Sequence, residues 1–217
     1  KAPAGSLSAI LAANGVKAAF IERETPVEDA DDQVAGEGAT NSARTSTQDP
    51  ANLSAQLMIH ADQITQKGDG KVIAVIDTGV DMTHPAFTGE LAGTPPLTPQ
   101  KVAAMTSQLG EGKTGVYVSQ KFPFAYDYAD GDNDASPAKT PYGSHGTHVA
   151  GIAAGNADKI VGTAPNTQVI VAKVTRSEDD ALLDSALLAS LDDMLVLHPD
   201  VINLSLGWTA GMDGEAD

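Results

Sequence analysis

Two residues stand where this chain could do chemistry: an aspartate, Asp77, and a histidine, His145, 68 residues further on. Asp77 closes the run Val72-Ile73-Ala74-Val75-Ile76, and Thr78-Gly79 follows at once. A continuous β-branched run bounded by turn signals predicts a central parallel strand covered on both faces. Its carboxyl end is where open parallel sheets place working residues, and the glycine lets the backbone turn away immediately. Taken alone, Asp77 fits the capping of a turn equally well.

His145 sits in Gly143-Ser144-His145-Gly146-Thr147-His148-Val149-Ala150-Gly151-Ile152-Ala153-Ala154-Gly155, which reads as the opening turns of a helix. Glycine inside a helix costs about 1 kcal/mol relative to alanine, so Gly146 and Gly151 call for compensation. Close approach of helix to sheet is the natural one, and it would hold His145 rigidly beside the strand ends. A carboxylate that fixes the tautomer of an imidazole, and an imidazole that takes a hydroxyl proton, are two parts of a nucleophilic triad. His148 is expected to be a packing histidine, and His60, His84 and His198 have no context that would make them chemical.

The elements that must position this pair form an alternating series. Val169–Val174 and Val201–Leu206 repeat the pattern of the first buried strand. Between them, Asp180–Leu197 carries Leu183, Leu187, Leu191, Met194 and Leu195 at helical spacing and stops at His198-Pro199. Strand, helix, strand is a crossover unit, so the predicted class is α/β, a parallel sheet with helices on both faces. Short helices are expected at Leu53–Thr65 and Pro99–Gln108, and the rest of Gly89–Lys139 reads as loops. Residues 1–25 read as a small α-β piece, residues 26–52 as a polar linker, and residues 53–217 as the main domain.

Composition narrows the partners. Thirteen basic residues against 29 acidic ones give a formal charge of −16, which repels nucleic-acid phosphates, so nucleic acid is excluded as a partner. The absence of cysteine removes disulfides, thiol nucleophiles and thiolate zinc sites. No apolar run is long enough for a transmembrane helix.

Val72-Ile73-Ala74-Val75-Ile76-Asp77-Thr78-Gly79-Val80-Asp81 with His84-Pro85 resembles the aspartate motif of the subtilisin-like serine peptidases, the subtilases. Ser144-His145-Gly146-Thr147-His148-Val149-Ala150-Gly151 resembles their histidine motif. The resemblance implies that Asp77 is the orienting carboxylate and His145 the general base of a serine endopeptidase. It also implies that Ser205, Leu206 and Gly207, after Val201-Ile202-Asn203-Leu204, bind substrate by pairing with an extended peptide, with Trp208 nearby.

The chain holds no Gly-Thr-Ser nucleophile motif. The expectation is therefore the first part of a catalytic domain, completed by the remainder of the same protease carrying the serine, with protein or peptide substrates. Residues 1–25 resemble the end of an inhibitory prodomain. The long insertion between Asp77 and His145 resembles the larger cell-envelope proteinases of Gram-positive bacteria, which implies a secreted or cell-wall location. No cofactor is required by this chemistry. Calcium is a candidate, but the family's ligand position after His84-Pro85 is Ala86 here, and Asp127, Asp130, Asp132 and Asp134 read more simply as an acidic loop. Two other readings remain open: a subtilisin-like scaffold without activity, and an aspartic protease built on Asp77-Thr78-Gly79, which would need a second carboxylate.

Overall fold

The computed structural model describes residues 9–10, 12, 24–25, 53–110 and 114–207. In chain order the elements are β1 (Glu24–Thr25), α1 (Leu53–Met58), β2 (Val72–Asp77), α2 (Pro99–Thr106), β3 (Phe124–Asp127), α3 (His145–Ala154), β4 (Asn156–Ala157), β5 (Ile160–Val161), β6 (Gln168–Lys173), β7 (Leu182–Leu183), α4 (Asp184–Leu197) and β8 (Val201–Asn203).

Four strands form the central sheet in the order β3-β6-β2-β8, and every neighbouring pair is parallel. The two central runs are buried on both sides, and alternate residues feed two different cores. Val72, Ala74 and Ile76 of β2 join Ile170 and Ala172 of β6 under Val102 of α2 and Ala186, Met194 and Leu197 of α4. Val75, Val169 and Val171 point the other way, onto Ala150 and Ala154 of α3. Helices therefore cover both faces, as the α/β reading predicts. Each fully buried aliphatic side chain stabilises by roughly 1.5–3 kcal/mol, so the two faces together hold β2 in place.

Four expectations need correction. The helix predicted from Asp180 begins at Asp184, because Leu182–Leu183 are extended and pair antiparallel with Glu24–Thr25. The helix predicted over Leu53–Thr65 stops at Met58: His60 turns left-handed at φ 57°, a single 3-10 turn follows at Ala61–Gln63, and Leu57 and Ile64 face solvent. β3 lies where only loops were expected, and all four of its residues are buried. The run Val201–Leu206 was expected to be a strand covered on both faces. It is extended only to Asn203, and Val201 is 57% exposed, because β8 is an edge strand paired with β2 alone among the described residues. Most of the α-β piece at 1–25, the linker at 26–52 and Trp208 lie outside the described residues.

Candidate active site

Because β2 and β6 are parallel and in register, their carboxyl ends form one rim, with Asp77 opposite Lys173. Asp77 is 1% exposed. The turn after it depends on Gly79, whose φ is +99°; a Cβ there would lie 2.8 Å from the carbonyl oxygens of Ala135 and Ser136. This turn brings Thr78 beneath α3, where its hydroxyl donates to the Gly143 carbonyl and accepts from the Gly146 amide, both at 3.0 Å.

The predicted close approach of helix to sheet occurs at Gly146. A Cβ at that position would stand 2.3 Å from the Gly79 carbonyl oxygen and 3.0 Å from Oδ1 of Asp77. At Gly151 the corresponding space is open, with Ile160 the nearest neighbour at 3.9 Å, so this second glycine answers to no such contact. With its first turn pressed against β2, α3 carries His145 to the aspartate. Nδ1 of His145 lies 2.8 Å from Oδ1 of Asp77. The same oxygen accepts the Thr78 amide at 2.7 Å, so the carboxylate is oriented from two directions. The His145 side chain is 26% exposed while its partner is dry, so the imidazole meets solvent and the carboxylate does not.

The predicted substrate residues lie after β8, at the same end of the sheet as Asp77. Ser205 donates to Oδ1 of Asn203 at 2.9 Å, Leu206 packs half-buried against the α4-side core, and a Cβ on Gly207 would meet nothing within 4 Å. His148 does not pack as expected: it is exposed. It borders a cavity of about 690 Å³ between α1 and α3 whose walls include Asp81, His84 and Thr147 but neither Asp77 nor His145.

The acidic loop is organised around its own backbone and one lysine. Asp127 is 1% exposed; its Oδ1 accepts the amides of Ala129 and Asp130 at 2.9 Å, and its Oδ2 accepts from Lys173 Nζ at 2.6 Å. Burial pushes the Asp127 carboxyl up, opposed by that ammonium. Burial also works against charge on Asp130, but the Ser177 side chain and amide together with Lys173 outweigh it and hold this carboxyl below its ordinary range. Asp132 accepts the Asp134 amide at 2.8 Å, and Asp134 bonds Ser136. Ala86 is buried and offers no side-chain oxygen, and among the described residues no three His, Asp or Glu side chains gather as metal ligands would.

Two features of the rim have no counterpart in the sequence reading. One is the Lys173–Asp127 pair, for which a lysine inside an otherwise apolar strand was the available signal. The other is β7, whose outer edge is taken by Glu24–Thr25.

Residues 68–216 match the model of the Subtilase family, Peptidase_S8. The chain belongs to the subtilase family. The PII-type proteinase of Lactococcus lactis subsp. cremoris is 36% identical over 169 residues, which are 74% of this subtilase chain and 9% of that proteinase. A thermophilic serine proteinase of Bacillus sp. (strain AK1) is 32% identical over 155 residues, 68% of this chain and 29% of the relative. Among solved structures, fervidolysin from Fervidobacterium pennivorans aligns with a TM-score of 0.46 at 20% identity, over 88% of this chain and 26% of that one. This subtilase chain thus spans less than a tenth of the length of the lactococcal proteinases that it resembles.

Proposed function

We propose that this chain supplies the acid and the base of a serine endopeptidase. The observation that carries the reading is the 2.8 Å contact between Nδ1 of His145 and Oδ1 of a dry Asp77. With its Nδ1 proton donated to Asp77, the ring presents Nε2 as the acceptor of a hydroxyl proton, and the nearby carboxylate stabilises the imidazolium that results. The ionisable partner of Asp77 is an imidazole, which favours a triad over the paired carboxylates of an aspartic protease.

A serine from a further segment of the same protein attacks the peptide carbonyl as His145 removes its proton. His145 then returns that proton to the departing amine, and water hydrolyses the acyl-enzyme through the same base. No metal or cofactor takes part in these steps. Peptide substrates lie extended beside Ser205, Leu206 and Gly207, where main-chain hydrogen bonds give affinity largely independent of sequence. The β7 edge is a second wall of this cleft: Glu24–Thr25, at the end of the segment read as a prodomain remnant, already pairs with it as an extended peptide would. We place the protein in a bacterial cell wall or outside the cell, on the strength of its likeness to cell-envelope proteinases.

The test is to treat the full protein with a fluorophosphonate. The expected result is covalent labelling of one serine outside residues 1–217, strongly slowed by His145→Ala. A full protein that is folded yet takes no label would overturn the reading.

A further inference from the structure

The rim of the sheet buries a charge that the proton-transfer scheme does not use. Lys173, the last residue of β6, is fully buried and stands in register between Asp77 on β2 and Asp127 on β3. Its stem packs under the turn that follows Asp77: Cδ lies 3.0 Å from where a Cβ on Gly79 would be. Its ammonium donates to Oδ2 of Asp127 at 2.6 Å and to Oγ of Ser177 at 2.5 Å, and it stands 3.6 Å from Oδ2 of Asp130. That same oxygen of Asp130 accepts the Ser177 amide at 2.9 Å.

One ammonium therefore joins the end of β3, the acidic loop and the turn that begins at Ser177. Burying a charged pair gains little stability over well-packed apolar residues of the same volume, so stability alone is a poor reason for it. What the pair does supply is a unique geometry, since each hydrogen bond fixes both a distance and a direction.

The element so fixed leads straight to the proposed peptide-binding edge. From Ser177 the chain turns through Asp180, which is buried at φ +58°, and returns as Ala181 into β7. The hairpin closes through Arg176 N to Ala181 O at 3.0 Å and Leu183 N to Val174 O at 3.2 Å. The hydrogen bonds described along this path run to β3, the acidic loop and β6, so its influence falls on where a peptide lies rather than on proton transfer.

We propose that Lys173 is a positioning residue, which sets the β7 edge at a fixed offset from Asp77 by holding the hairpin through Ser177 and the acidic loop through Asp127. The inference rests on the peptidase reading given above. It requires that substrates long enough to reach β7 depend on Lys173 and that substrates too short to reach it do not.

The experiment compares the full protein with its Ser177→Ala and Lys173→Met variants on an extended peptide amide, a single-residue ester and a fluorophosphonate. Ser177 is exposed, so its replacement removes one contact to the ammonium and leaves the core intact. Ser177→Ala is expected to raise KM for the extended peptide about tenfold, the worth of one hydrogen bond to a charged group, with kcat unchanged. Ester hydrolysis and the rate of fluorophosphonate labelling stay at the wild-type level. Lys173→Met shifts the extended peptide further in the same direction; where it fails to fold, Ser177→Ala alone decides. Equal losses on peptide and ester, or an unchanged KM for the peptide in Ser177→Ala, would overturn the role given to Lys173 while leaving the peptidase intact. A wild-type protein that takes no label removes the peptidase reading and this inference with it.

Discussion

Both ends of the central sheet bury a lysine, and the two are solvated in opposite ways. At the carboxyl end, the Lys173 ammonium faces two carboxylates and a hydroxyl. At the amino end, Lys121 is 4% exposed and, among the described residues, donates to the carbonyls of Pro165 and Thr167, at 2.8 and 2.9 Å. Burial lowers the Lys121 pKa from 10.5 to about 7. The amino end is therefore built to tolerate an amine that gives up its charge. At the carboxyl end the ammonium is paired with carboxylates, and there also lie Asp77, His145 and the proposed peptide edge. An ordinary hydrogen-bonded lysine suffices where only strands are joined; fixed opposite charges occur where separate loops must keep a set geometry.

The sharpest way to test this contrast is at Asp77. Asp77→Asn should lower kcat by about 10⁴, because the amide favours the wrong tautomer of the base, while the fold stays unchanged. Steady-state kinetics of the full protein on a peptide substrate measures this, and a loss of tenfold or less would detach Asp77 from the chemistry. Next in size is the ion pair. Lys173→Met should destabilise the full protein by about 3–5 kcal/mol in denaturant titration by stranding the Asp127 charge, and adding Asp127→Leu should restore most of that. A double variant no better than the single one would show that the two residues do not act as a pair.

Lys121 gives an effect that is spread over pH and has a defined sign. Between its folded value of about 7 and its ordinary 10.5, the unfolded chain holds a proton that the folded chain has released. Stability therefore rises with pH across that window, by up to about 1.4 kcal/mol per pH unit. Lys121→Met should remove this slope, as read from the difference between wild-type and variant denaturation at several pH values. Equal slopes would mean that the buried amine keeps its proton. The smallest effect belongs to the exposed pair at the amino end, Lys71 Nζ to Asp200 Oδ1 at 2.8 Å. The Lys71 hydrogen bond, then the Val72 amide, hold the Asp200 carboxyl below its ordinary 3.8. Its stabilisation is present above that value and is lost as the pH falls beneath it. Asp200→Asn should cost less than about 1 kcal/mol at neutral pH, and less again in high salt.

What could be read from the sequence followed from how local the cause was. β2, β6 and α3 announce themselves through consecutive apolar residues or through glycines, and the aspartate and histidine are framed by those same segments. β3 is only four residues long, Phe-Ala-Tyr-Asp, and owes its burial to β6 rather than to its own pattern. β7 is two leucines whose spacing fits the helix that follows; pairing with Glu24–Thr25 decides otherwise, and that partner is far away in the chain. Lys173 and Asp127 are 46 residues apart: a lysine in an apolar strand signals a buried partner, but nothing local says that the partner is Asp127. His148 lies about one turn after His145, and the sequence does not show that its position on the helix faces outward. The roles given to Ser205, Leu206 and Gly207 came from likeness to a family strand.

β2 lies inside the sheet, bonded to β6 over six residue pairs and to β8 over three. Amide hydrogens on such a strand exchange with solvent only when its neighbours separate, so the aspartate sits in the slowest-opening part of the described structure. Fraying at the periphery then leaves the acid-base pair aligned. Heat inactivation of an enzyme built on this strand would follow the rate at which the sheet comes apart, read as its half-life at elevated temperature.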